Sequence, residues 1–107
     1  DDASSANFIL SGGHGAISVT ANIVPHLVAA MVNSAIDKTD EQEALKIHGI
    51  LSSLNGALFL ESNPIPVKWA LNRMGKIESG IRLPLTKLND KFTNILELAL
   101  SDLKLIN

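Results

Sequence analysis

The stretch Gly12-Gly13-His14-Gly15-Ala16-Ile17-Ser18-Val19-Thr20-Ala21-Asn22 constrains the fold more than any other. Its core, Ala16 to Ala21, mixes β-branched and small residues behind a glycine-rich turn and stops at Asn22, just before a strongly periodic segment. That pattern predicts a β-strand. One strand cannot be a sheet, because its backbone N–H and C=O groups need partners, and no other segment here has the composition to supply them. The expectation is therefore a piece of a larger fold, joined to the rest through this strand.

Composition narrows the class of protein. With 107 residues and 46% hydrophobic content, the chain has enough apolar side chains for a buried core. Its 9 basic and 11 acidic residues give a net charge of −2 and are spread along the sequence. They form neither a basic stripe for nucleic acid nor a polybasic membrane patch. The absence of cysteine excludes disulfides and thiolate metal sites, and no apolar run approaches the roughly 20 residues of a membrane helix. A soluble protein of a reducing compartment is the expectation. The opening Asp1-Asp2-Ala3-Ser4-Ser5 lacks an initiator Met and a signal-peptide pattern, and reads as a cut end.

Around the strand the pattern is helical. Acidic and hydroxyl residues at Asp1 to Ser5 suit the start of a short helix through Ala6, Phe8, Ile9 and Leu10, ended by Ser11-Gly12-Gly13. Ile23 to Ile36 sets Val24, Leu27, Val28, Met31, Val32, Ala35 and Ile36 at helical spacing, with Pro25 tolerated in the first turn. Thr39-Asp40-Glu41-Gln42 fits a capping box opening a long helix through Ala44, Ile47, Leu51, Leu54 and Leu58. Pro64 and Pro66 stop it at Glu61-Ser62-Asn63. Val67 to Met74 is a short helix with Gly75 beyond its end, Ile81 to Thr86 an extended connection, and Asn89-Asp90 the start of a last helix. On that helix Phe92, Ile95, Leu96, Ala99 and Leu103 share a face. A helix, a strand and a second helix are what one and a half βα units of a parallel α/β fold look like, followed by a helical appendage.

Little of this chain carries chemistry by itself. A dinucleotide fingerprint follows a strand and opens a helix, whereas Gly12, Gly13 and Gly15 precede the strand, so they read as a turn. His14, His26 and His48 lack metal-ligand spacing. Ser18 and Thr20 have no nucleophile elbow around them and read as packing residues with satisfied hydroxyls. A Schiff-base lysine must lose its proton near neutral pH, which takes burial or a neighbouring cation. Lys38, Lys46, Lys76, Lys87, Lys91 and Lys104 have polar surroundings or lie at helix ends. Lys68, between Val67 and Trp69, alone has apolar flanks, and a surface lysine with its stem along apolar neighbours accounts for it. Asp1-Asp2 is either a carboxylate pair at a site or a helix start, and the residues alone favour the second.

Three blocks in order, Gly12 to Asn22, then Leu58-Phe59-Leu60-Glu61-Ser62-Asn63-Pro64-Ile65-Pro66-Val67-Lys68-Trp69-Ala70, then Arg82-Leu83-Pro84-Leu85-Thr86, closely resemble the C-terminal part of the dihydrodipicolinate synthase family. The resemblance runs through the whole chain, which matches only the last third of such a protein. It implies a (β/α)8 TIM barrel with a C-terminal helical domain: residues 1–36 as the last part of the barrel, including the end of unit seven, strand eight and helix eight, and residues 37–107 as a three-helix domain. Strand eight closing a barrel explains the orphan strand. The implied activity belongs to the diaminopimelate route of lysine biosynthesis. Pyruvate, held as a Schiff base on a lysine, condenses with L-aspartate 4-semialdehyde to give 4-hydroxy-tetrahydrodipicolinate, in a cytoplasmic homotetramer that needs no cofactor. By the same resemblance Ile17 lines the pyruvate pocket, Asp1 and Asp2 stand at the site mouth, and the catalytic lysine and other catalytic residues lie on strands outside this segment. Another class I pyruvate aldolase, such as N-acetylneuraminate lyase, is the alternative enzyme. A non-catalytic helical interaction fragment is the alternative of a different class.

Overall fold

The computed structural model describes residues 1–37 and 40–107. Five α-helices account for most of the regular structure: α1 (Ser5–Leu10), α2 (Pro25–Ile36), α3 (Glu41–Ala57), α4 (Ile65–Arg73) and α5 (Thr93–Asp102), with 3-10 turns at Thr20–Asn22 and Asp90–Phe92. They fall into two compact units, Asp1–Asn55 and Gly56–Asn107.

In the first unit α1 packs on α2, and Ile9, Ala35 and Ala44 form a buried cluster flanked by Leu10 and Val32. Small alanines at the contact let the helix backbones approach closely, so a six-residue helix is held by packing rather than by its own propensity. The predicted face of α2 is buried at Val24, Val28, Met31 and Ala35, whereas Ile36 at the helix end is exposed. Pro25 occupies the first turn, where its missing N–H costs nothing.

The predicted stripe on α3 is buried at Ala44, Ile47, Leu51 and Leu54, and Leu58, expected on the same helix, is buried just beyond its end. Each such leucine contributes about 1.5–3 kcal/mol relative to an exposed one. Glu41 and Glu43 lie in its first turn, where they complement the helix dipole. The Thr39 cap falls outside the described residues.

In the second unit α4 ends in a Schellman motif: Lys76 N–H donates to Leu71 O and Gly75 N–H to Asn72 O, both at 2.9 Å, with Gly75 at φ 75°. Asn89 caps the 3-10 turn Asp90–Phe92, its side chain accepting from Lys91 N–H at 3.0 Å, and the last helix, expected to start at Asn89-Asp90, begins after that turn at Thr93. Arg73 on α4 holds Glu97 on α5 through two hydrogen bonds.

Two further expectations need correction. Among the described residues there is no strand: residues 13–18 have no regular structure, Val19 is already helical in backbone (φ −73°, ψ −43°), and Thr20–Asn22 is a 3-10 turn. No described segment presents an edge for residues 15–21 to pair with, and the end of the stretch is drawn into the turn by the buried carboxylate of Asp2. The second concerns α5, which buries Leu96, Ala99 and Leu100 and leaves Ile95 exposed. Ile95, Leu96, Leu98, Ala99 and Leu100 surround the helix with apolar groups, so periodicity does not single out one face. Phe92 lies in the preceding 3-10 turn, off the α-helical register.

Candidate functional site

The first two residues, alike in charge, have different surroundings. Asp1 is exposed, and its Oδ1 accepts from Ser4 N–H at 3.0 Å and from the Ser4 hydroxyl at 2.7 Å, closing the turn that leads into α1. Asp2 is 5% exposed. Its Oδ1 accepts from the Ser18 hydroxyl, and its Oδ2 from Val19 N–H at 2.9 Å and Thr20 N–H at 3.2 Å. A buried carboxylate is tolerable only when donors replace the lost water, and these three supply that replacement while capping the 3-10 turn.

The network extends further. Ser18 Oγ accepts from Ala21 N–H at 2.9 Å, and Thr20 Oγ1 donates to Asn55 Oδ1 on α3 at 2.6 Å. The backbone carbonyl of Asp2 accepts from Ser5 Oγ at 3.2 Å and Asn55 Nδ2 at 3.4 Å. Ser18 and Thr20 are thus packing residues with satisfied hydroxyls, as expected. Asn55 carried no signal in the sequence, because its partners lie 35 and 53 positions away.

Ile17 stands immediately before this pinned segment with its side chain wholly exposed. On the other side the chain is fixed at Gly13, whose N–H donates to Phe8 O at 3.0 Å while Gly12, at φ 118°, donates to Ile9 O at 2.9 Å. This is the Schellman close of α1. An open hollow of about 330 Å³ lies between, lined by Asp1, Ser4, Ser5, Phe8, Gly15, Ala16 and Ile17. The structure therefore brings two of the three predicted site residues, Asp1 and Ile17, to one hollow. Asp2 is turned away into its network.

The hollow offers hydroxyls, one carboxylate and apolar wall, and no lysine. Lys68 is half-buried on α4 and lines a separate hollow of about 100 Å³ with Ile65, Trp69 and Leu88. Lys46, Lys76, Lys87, Lys91 and Lys104 are exposed, and Lys38 lies outside the described residues. His14 and His26 are exposed, and His48 is half-buried with Nδ1 unpartnered. Among the described residues no three His, Cys, Asp or Glu side chains are placed to hold a metal ion, and no helix is long and apolar enough to cross a membrane.

Comparison with known proteins covers nearly the whole chain. The sequence model of the dihydrodipicolinate synthetase family matches residues 1–103. The 4-hydroxy-tetrahydrodipicolinate synthase of Laribacter hongkongensis is 52% identical over 106 residues, covering 99% of this chain and 36% of that protein. The enzyme of the same name from Methylococcus capsulatus is 56% identical over 88 residues, 82% of this chain and 30% of its own length. Among solved structures, the chloride-inhibited dihydrodipicolinate synthase of Acinetobacter baumannii complexed with pyruvate superposes with a TM-score of 0.95 at 47% identity, over 99% of this chain and 36% of that one. The chain thus spans about a third of the length of the curated relatives it matches.

Proposed function

This chain belongs to the dihydrodipicolinate synthetase family, and we propose that it is the C-terminal part of a 4-hydroxy-tetrahydrodipicolinate synthase. The full-length protein condenses pyruvate with L-aspartate 4-semialdehyde in the diaminopimelate route to lysine. The observation that carries this reading is identity of about half the residues to synthases across 99% of the chain. The fold-level likeness to a neighbour complexed with pyruvate supports the same substrate.

In this reading the bond-forming chemistry belongs to a lysine outside the segment, which attacks the pyruvate carbonyl, loses water and holds the substrate as an imine. None of the exposed lysines here has the desolvated setting that such a nucleophile needs. The segment contributes shape: Ile17 as a wall of the pyruvate pocket, with Asp1 and Asp2 near its mouth. A wall residue binds ground and transition states alike and acts mainly on substrate affinity. Residues 1–36 complete the barrel and residues 37–107 form the helical domain. The protein works in the cytoplasm as a homotetramer, a dimer of dimers.

The direct test is an assay with both substrates. The full-length protein should turn them over, and the 107-residue chain should not. Turnover by the short chain, or none by the folded full-length protein, contradicts the reading.

A further inference from the structure

Ile17 has no side-chain contact within the described residues that fixes it, being wholly exposed, and residues 14–16 before it are exposed as well. Within the described residues, the nearest fixed point is the backbone that follows. There three groups in a row, the Ser18 hydroxyl and the N–H groups of Val19 and Thr20, converge on the carboxylate of Asp2. Ser18 is gripped from both sides, because its Oγ also accepts from Ala21 N–H at 2.9 Å. The holder is itself held: the Asp2 carbonyl accepts from Ser5 and Asn55, and Asn55 accepts from Thr20, so α1, the turn and α3 meet at one buried point.

We propose that Asp2 is a positioning residue, whose buried carboxylate fixes the backbone from Ser18 to Thr20 and through it sets where Ile17 meets the substrate. The proposal rests on the reading of Ile17 as a wall of the pyruvate pocket. It assigns Asp2 a role different from that of a mouth carboxylate contacting substrate. Three of the roughly four lone-pair positions of a carboxylate are taken by this network. Asp2 also has no part in the lining of the hollow that Asp1 and Ile17 share. Two adjacent aspartates thus divide the work, one facing the hollow and one anchoring its wall.

The test uses the full-length protein with Asp2→Asn, which keeps the side-chain shape and replaces one acceptor oxygen by a donor. Hydrogen exchange across residues 14–21 should quicken. The pyruvate KM should rise on the order of ten-fold or more, as expected for a displaced contact, while kcat changes much less. A folded Asp2→Asn protein with a lowered Tm and the wild-type pyruvate KM overturns the proposal, because a purely structural role moves only stability. Should Asp2→Asn fail to fold, Ser18→Ala removes one strut of the same grip and is read in the same way. Ser18→Thr, which keeps the hydroxyl, should restore the wild-type KM. Ile17→Ala separates the two ideas: an unchanged pyruvate KM there contradicts the pocket reading itself. An altered KM in Ile17→Ala beside an unaltered one in folded Asp2→Asn contradicts only the positioning.

Discussion

Thr20 and Asn55 lie 35 positions apart and share a 2.6 Å hydrogen bond in a place where neither is more than 5% exposed. The bond ties the end of the irregular stretch to α3. Replacing Thr20 by Val keeps the shape and strands the Asn55 carbonyl oxygen, which should cost about 1–3 kcal/mol of stability. In a double-mutant cycle with Asn55→Leu the two losses should fall short of additivity, because the second change removes the group that the first left unpaired. Urea unfolding of the four proteins checks this.

Gly13 and Phe8 are related just as tightly. A Cβ at Gly13 would fall within 2.5 Å of the Phe8 ring and 3.0 Å of its backbone oxygen. The exposed ring can swing aside, but the carbonyl that accepts from Gly13 N–H cannot. Gly13→Ala should therefore weaken the close of α1 by about 1 kcal/mol, and most of that loss should persist when Gly13→Ala is combined with Phe8→Ala, because the carbonyl stays in place. Thermal unfolding with circular dichroism reads both.

Whether a stretch is a strand depends on what lies beside it, and residues 13–22 show the consequence. Helices α2 and α3 were legible because their stabilising contacts repeat along the sequence at 3.6-residue spacing. The composition of Ala16 to Ala21 favours a strand, but no described segment offers an edge to pair with and no ladder forms. The Asp2 network was not legible: it joins residue 2 to residues 18–20 and 55, and a carboxylate beside hydroxyls has the same appearance in sequence whether it caps a helix, binds a substrate or holds a turn. Of the site, Ile17 and Asp1 came from resemblance to a family and not from any periodicity.

This unpaired state can be measured in the isolated chain. Among the described residues nothing accepts from the N–H groups of residues 14–18, whereas those of Val19, Thr20 and Ala21 are held by Asp2 and Ser18. In a demonstrably monomeric sample, amides 14–18 should exchange near the rate of an unfolded peptide while those of α2 and α3 are protected. Strong protection at 14–18 in the monomer would reveal a partner strand within the chain.

In the proposed enzyme this segment shapes a pyruvate pocket while the nucleophile lies elsewhere in the protein. Borohydride reduction of the full-length protein in the presence of pyruvate, followed by digestion and mass spectrometry, tests it most directly, since reduction makes an imine permanent at the lysine that formed it. The label should appear once, on a lysine outside residues 1–107. A reduced adduct on Lys68, or on any other lysine of this segment, would contradict the claim.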